Sequence, residues 1–289
     1  MWDVLSRVTD VAYRTVAMTG LAAGTEQPPY PCSLPLQHLE NASDAKRVAE
    51  IIESTVKAAD DMFHNDAELK WQQLDYTDPE KGGDLRLYTR PRIGAFHFVQ
   101  ATLTFVNIPT QKVLDVMHSD DGRGRKRYSA NLSHFEVVAR PTETANIELH
   151  RYWAPPPVAG REFVFLTERR FKEEEKIQYV YGCTIDYEPY KKVTDGFVRA
   201  ACLWSWELKS VGSNTVARYV SCMNPRGWTP SFMVGWVKAE IAKELIACRR
   251  VIYGQSVTVQ RVTLQGAGLA DDLEKLTDEE KLKMSQGDA

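Results

Sequence analysis

The turn Asn224-Pro225-Arg226-Gly227-Trp228-Thr229-Pro230 leads directly into a long amphipathic segment that ends near Tyr253, and no other stretch limits the possible folds as much. Thr229 can cap a helix with its hydroxyl. Pro230 suits the first helical position, where a missing N–H costs nothing. Met233, Trp236, Val237, Ile241, Leu245, Cys248 and Ile252 recur at steps of three and four; Lys238, Lys243, Arg249 and Arg250 take the other side, and Gly254 marks the stop. The spacing predicts a helix of about 24 residues, roughly 36 Å long.

What precedes this helix is mostly strand-like. Ser43 is a good cap for an earlier helix, in which Val48, Ile51, Ile52, Thr55, Ala59, Met62 and Phe63 keep helical spacing to about Asn65. From Trp71 the period changes to short β-branched or aromatic runs: 71–76, 85–89, 96–106, 135–140, 146–153, 163–170, 177–186, 197–209 and 215–223. A short helix carrying Val113, Leu114 and Met117 interrupts the third and fourth runs and ends in a polar stretch, 119–127. The basic run Gly122 to Arg127 would attract phosphate if exposed, although such loops are usually plain solvated surface. The pattern predicts an α+β fold in which about nine mostly antiparallel strands curl, with the long helix in the concave side burying the apolar faces of both. Helix and sheet can leave a gap between them.

With 289 residues and 43% hydrophobic content the chain can bury a full core, so a metal or disulfide framework is not needed to hold it. A net charge of −3 argues against a general nucleic-acid binder. Five cysteines, an odd number without a CxxC pair, suggest neither a disulfide framework nor a zinc site, and a cytoplasmic setting fits. Near the start, Trp2, Val4, Leu5, Val8, Val11, Ala12 and Val16 form an apolar pattern broken by Asp3, Arg7, Asp10 and Arg14, which reads as a short amphipathic helix and not a secretory signal. It packs on the domain or serves as a weak membrane-surface anchor. No G-x-S-x-G, H-E-x-x-H or P-loop occurs, and the six histidines lack ligand spacing, so no catalytic, cofactor or metal site is expected.

Three short motifs, in order and on the predicted elements, resemble the START family, the lipid-transfer module related to steroidogenic acute regulatory protein. They are Arg161-Glu162-Phe163-Val164-Phe165, Gly196-Phe197-Val198-Arg199-Ala200, and the turn from Asn224 to Pro230. The resemblance covers residues 43–254. It leaves an N-terminal segment with a proline-rich linker, 1–42, and an acidic amphipathic extension, 255–289, outside. It implies a helix-grip fold with an internal tunnel, one lipid under the last helix, release at a membrane surface, and no enzyme activity or cofactor. The helix and the loop from Pro155 to Gly160 would open to admit the lipid, with Gly227 and Pro230 marking the hinge end of the helix.

The resemblance also implies site residues. Glu148 stands where sterol-handling members carry a buried glutamate; the position of its arginine partner is Thr167, so Glu148 would have a raised pKa or another partner. The segment Arg125-Lys126-Arg127-Tyr128-Ser129 is similar to the one whose arginine binds phosphate in the phosphatidylcholine-transfer members. The positions of their choline-caging aromatics hold His150, Phe163 and Leu203. Phe165, Ser205, Met233, Trp236, Val237 and Ile241 complete the expected lining. A phospholipid is expected ahead of a sterol or ceramide. A lipid-sensing adaptor whose acidic tail binds a protein partner, and a helix-grip enzyme, are the alternatives.

Overall fold

The computed structural model describes residues 36–64, 70–74, 84–93, 96–118, 122–155, 158–227 and 231–257, with the side chains of 91–93, 96 and 231–239 left out of the description. The expected N-terminal helix, the proline-rich linker, the Thr229–Pro230 cap and the acidic tail lie outside the described residues.

Two helices of similar length sandwich one sheet. Strand β1 (Gln37–Leu39) precedes helix α1 (Ala45–His64). The helix is capped by Asp44, whose Oδ1 accepts the Arg47 N–H at 3.0 Å, one residue after the expected Ser43. Strands β2 (Gln72–Gln73), β3 (Arg86–Ile93) and β4 (Phe96–Phe105) follow, then the short helices α2 (Thr110–Met117) and α3 (Arg123–Lys126). Next come β5 (Leu132–Ala139), β6 (Ala145–Tyr152), β7 (Gly160–Lys172) and β8 (Ile177–Tyr187). The predicted strand 197–209 divides at Ala200 into β9 (Phe197–Arg199) and β10 (Ala201–Val211); β11 (Asn214–Asn224) and helix α4 (Ser231–Ile252) complete the chain.

The sheet runs in the order β2-β3-β4-β11-β10-β8-β7-β6-β5, antiparallel throughout, with β1 added parallel to β8 and β9 parallel to β7. Strand periodicity divides its side chains between two cores. Leu203, Cys183, Leu166 and Val164 face α1, whose Val48, Ile51, Ala59, Met62 and Phe63 are all buried against them. Trp204, Val180, Phe165 and Phe163 face α4, where Ala242, Leu245, Ile246, Cys248, Val251 and Ile252 are buried. The expected basic face of α4 is corrected at Arg249, which is buried with Nη1 3.9 Å from Asp84. The helix ends as the glycine predicts: the Gly254 N–H bonds the Val251 carbonyl at 3.0 Å and the Gln255 N–H the Arg250 carbonyl at 2.9 Å, a Schellman pair.

The three short motifs, far apart in sequence, meet at one end of this sandwich. Arg161 donates from Nε to the Pro225 carbonyl at 2.7 Å, from Nη2 to the Arg226 carbonyl at 3.2 Å, and from Nη1 to the Ala159 carbonyl. Burial lowers its pKa to about 10. Glu162, on the other face, accepts from Arg151 Nε at 2.8 Å and from Arg199 Nη2 at 2.9 Å, so one carboxylate joins β6, β7 and β9. Removing a partner from so buried an ion pair would leave a charge uncompensated, typically at 3–5 kcal/mol.

Candidate lipid-binding site

Between the concave face and α4 lies a cavity of about 220 Å³. Its walls are mainly aromatic and apolar: Tyr152, Phe163 and Phe165 from β6 and β7, Cys202 and Trp204 from β10, Tyr219 and Met223 from β11, Val99 from β4, and Ile241 from α4. Strand register puts these on one face, since Phe163 pairs with His150, Trp204 with Ser221, and Tyr219 with Ala101. The rings touch edge-on or stacked, with Phe163 and Phe165 5.2 Å apart and Phe165 6.0 Å from Trp204. Trp204 fits because its partner on β8 is Gly182, where an added Cβ would lie 2.4 Å from the indole.

Arg125, Glu240 and Glu244 bring charge to this apolar space. Arg125 reaches it from α3, a single helical turn pressed onto α2. A Cβ on the preceding Gly124 would lie 2.2 Å from the Val116 carbonyl oxygen, so only glycine permits the approach that turns Arg125 inward. Its guanidinium lies 5.8 Å from the Trp204 ring centroid, and among the described residues it forms no hydrogen bond or ion pair. Burial works to lower its pKa, but Tyr152, Tyr128, Glu244 and Glu148 around it raise it, and the group is a fixed cation. The other two are Glu240 and Glu244, one turn apart on α4. Glu244 Oε1 accepts from Ser129 Oγ at 2.5 Å, and burial raises its pKa. Glu240 accepts from Asn131 Nδ2 at 3.2 Å and from Lys243 Nζ at 2.7 Å. These bonds fasten the middle of α4 to the segment before β5.

Glu148 and His150 share the concave face but do not border the cavity; they are sealed beneath it. Glu148 Oε2 accepts from His150 Nε2 at 2.9 Å, Oε1 accepts from Thr167 Oγ1 at 3.1 Å, and His118 Nε2 stands 3.9 Å from Oε1. The Glu148 pKa falls to about 2: burial raises it, but His118, His150 and Arg125 more than compensate. Thus Glu148, without an arginine at 167, has histidine partners and no raised pKa. Burial lowers His150 to about 4, so it is a neutral imidazole protonated at Nε2, flanked by Phe135 at 4.8 Å and Phe165 at 5.0 Å.

Of the expected lining, Arg125, Phe163, Phe165 and Ile241 border the cavity, while Thr167 belongs to the sealed cluster. Leu203 and Ser205 are corrections: both are buried on the α1 side of the sheet, because a one-residue offset along a strand reverses the face, and Cys202 and Trp204 line the cavity in their stead. The side chains of Met233, Trp236 and Val237 lie outside those described. Sequence reasoning did not single out Glu240, Glu244, Tyr152 or Tyr219. The carboxylates recur at i and i+4 on the border of the apolar stripe of α4, a signal easily read as solvated surface.

The fold is that of solved START lipid-transfer domains. Human StAR-related lipid transfer protein 5 superposes with a TM-score of 0.61 over 72% of this chain and 98% of that one, at 15% identity. Human STARD10 gives 0.53 over 82% and 96%, at 14% identity. A STAR-related lipid transfer protein from Xanthomonas axonopodis gives 0.53 over 63% and 98%, at 17% identity. No protein-family model and no curated protein matches the chain by sequence.

Proposed function

We propose that this chain, with its START fold, binds one lipid under α4 and carries it between membranes without chemically altering it. The observation that carries this reading is the cavity itself: an aromatic and apolar space under a single amphipathic helix, bordered by the Arg125 guanidinium, which among the described residues forms no hydrogen bond or ion pair. Each methylene moved from water into such a space gains about 0.8 kcal/mol, enough over an acyl chain to offset removal from a bilayer. A phospholipid is favoured over a sterol or ceramide. Arg125 offers a phosphate its natural counter-charge, whereas Glu148, the group a sterol hydroxyl would need, is already satisfied below the cavity.

In this reading α4 moves to admit and release the lipid. Its C-terminal half is anchored by Leu245, Cys248, Val251 and Ile252 in the core and by Tyr253, whose hydroxyl accepts from the Val106 N–H at 2.6 Å. Opening therefore falls to the N-terminal half and breaks the bonds from Asn131 and Ser129 first. No helix among the described residues is long and apolar enough to cross a membrane, and the encounter with a bilayer is transient in this reading. Domain limits at 43–254 and a protein partner for the acidic tail remain part of the same proposal. Against catalysis, the cavity thiol of Cys202 has its pKa pushed up to about 12 by burial, and His150 lies sealed beneath the cavity wall.

Native mass spectrometry of the purified protein, followed by transfer of fluorescent phospholipid between vesicles, tests the proposal. A one-to-one lipid complex and protein-dependent transfer are expected. Absence of both sinks the carrier reading, and binding without transfer replaces it with the sensor.

A further inference from the structure

The turn before α4 carries a cation that the fold itself does not use. Arg226 has φ 46°, a left-handed backbone that a non-glycine residue rarely takes. It is held there from both sides: Asn224 Oδ1 accepts the Arg226 N–H at 2.9 Å, and Arg161 Nη2 donates to the Arg226 carbonyl at 3.2 Å. Gly227, next in the chain, packs on β9, where an added Cβ would lie 3.2 Å from Val198. The Arg226 side chain is half-buried; its Nε is enclosed without a hydrogen-bond partner, and among the described residues its guanidinium forms no ion pair. Its charged neighbours are Arg199 and Asp186: burial and Arg199 lower its pKa, and Asp186 raises it. Arg199 donates from Nη2 to Glu162 and to the Tyr190 carbonyl, but its Nε is also buried without a partner. The carboxylates of this corner are already engaged, Glu162 by Arg151 and Arg199, and Asp186 by His38, whose Nδ1 lies 3.2 Å from Oδ2.

Two neighbouring guanidinium groups, one of them wholly unpaired, repel each other where part of the screening water has been removed, and an anion that takes hydrogen bonds from both relieves this. Phosphate suits the planar fork of arginine best. The place gives such an anion a use. Pro225, directly before Arg226, borders the cavity together with Val158 and Arg161, whereas Arg226 is not among the cavity walls. Resting on the carrier reading, we propose that Arg226 and Arg199 form a phosphate seat outside the cavity, which takes the head group of an anionic phospholipid in the bilayer and sets the loop end of the cavity against the membrane. The seat is separate from the cargo, so it stays available with a lipid bound. The turn runs on to α4 at Ser231, so a phosphate held there ties the start of the lid to the membrane while the C-terminal half stays fixed to the core.

The test uses the full chain and two kinds of vesicle, phosphatidylcholine alone and phosphatidylcholine with phosphatidic acid, with binding read by flotation and retained lipid by native mass spectrometry. Wild type should prefer the phosphatidic acid vesicles. Arg226→Gln should weaken binding to them about fivefold, the worth of one basic side chain at an anionic surface, and leave both the retained lipid and the binding to phosphatidylcholine vesicles unchanged. Arg226→Gly, which suits the left-handed backbone and keeps the turn folded, should lose as much. No wild-type preference, or an unchanged preference in both folded variants, overturns the seat and leaves the carrier reading intact. Inorganic phosphate shifting the Arg226 Nε–H resonance while vesicle binding is equal in wild type and variants also overturns it, replacing the docking seat with a free-anion site. Absence of retained lipid and of transfer in the wild type overturns the carrier reading instead, with the vesicle preference still deciding the seat.

Discussion

The two faces of the sheet receive helices of 20 and 22 residues, yet they are built to opposite ends. The α1 face is aliphatic and aromatic, with Ile51, Ala59, Phe63, Ile147, Leu166 and Val220 at most 1–2% exposed, and its helix meets the sheet directly. The cavity lies on the α4 face, which also gathers Arg125, Glu148, His150, Glu240 and Glu244. One face supplies stability through density; the other leaves space lined with rings and charged groups. Dense packing and the cavity are thus separated by the thickness of one sheet.

This contrast is open to attack from both sides. The largest loss of stability should follow Ile51→Ala, about 2–5 kcal/mol by urea denaturation, because the α1 face has little room to collapse into the void. Lipid uptake by the fraction still folded should be unchanged; lost uptake would mean that the faces do not act separately. On the cavity side, Phe163→Asp should abolish uptake of fluorescent phospholipid, and normal uptake by a folded variant would show that the wall is wrongly assigned.

A third attack uses pH. His150 has a folded pKa of about 4, below the usual 6.5, so the unfolded chain binds the extra proton between these values and stability falls as pH drops through this window. The full effect is on the order of 3 kcal/mol. Glu148, held near 2, contributes fully above about 4.5 and loses its part only below that. The raised Glu244 acts in the reverse sense, giving back stability as pH falls towards 4.5. Denaturation at pH 7 and pH 5 should show the net loss, and His150→Gln should flatten it.

Arg125→Met should lower stability by about 1–2 kcal/mol, since it removes the guanidinium over the Trp204 ring and a positive charge that favours ionised Glu148. Phospholipid affinity should also fall by about ten- to a hundredfold, the worth of one charge-assisted contact. Smallest of all, Ser129→Ala removes one bond to the lid, about 1 kcal/mol, and should speed amide hydrogen exchange in the middle of α4 more than its C-terminal half. Equal exchange along the helix would remove the distinction between its mobile and anchored parts.

Sequence showed the frame far better than the site, for a physical reason. The readable motifs are those that hold the architecture: Arg161 grips the turn at Pro225 and Arg226, and Glu162 grips Arg199, so three separate signatures report a single junction. The strand series was equally legible because alternation is local. What sequence did not show depends on parity and on distant approach. Leu203 and Trp204 differ by one residue and by a whole face. Arg125 sits in a run of basic residues that looks solvated, and only the contact of Gly124 with the Val116 carbonyl aims it inward. Glu240 and Glu244 look like ordinary charges at the edge of an apolar stripe until the sheet opposite is in place.

The position of α4 in the chain has a consequence for biosynthesis. The concave trough is complete once β11 ends at Asn224, and its cover is the next helix to be made, Ser231–Ile252. A nascent chain emerging from a ribosome therefore exposes the strands of an aromatic trough before its roof can dock, at the stage when exposed apolar surface most invites aggregation. Whatever shields the trough in that interval, a chaperone or the first lipid, is met before the protein is finished.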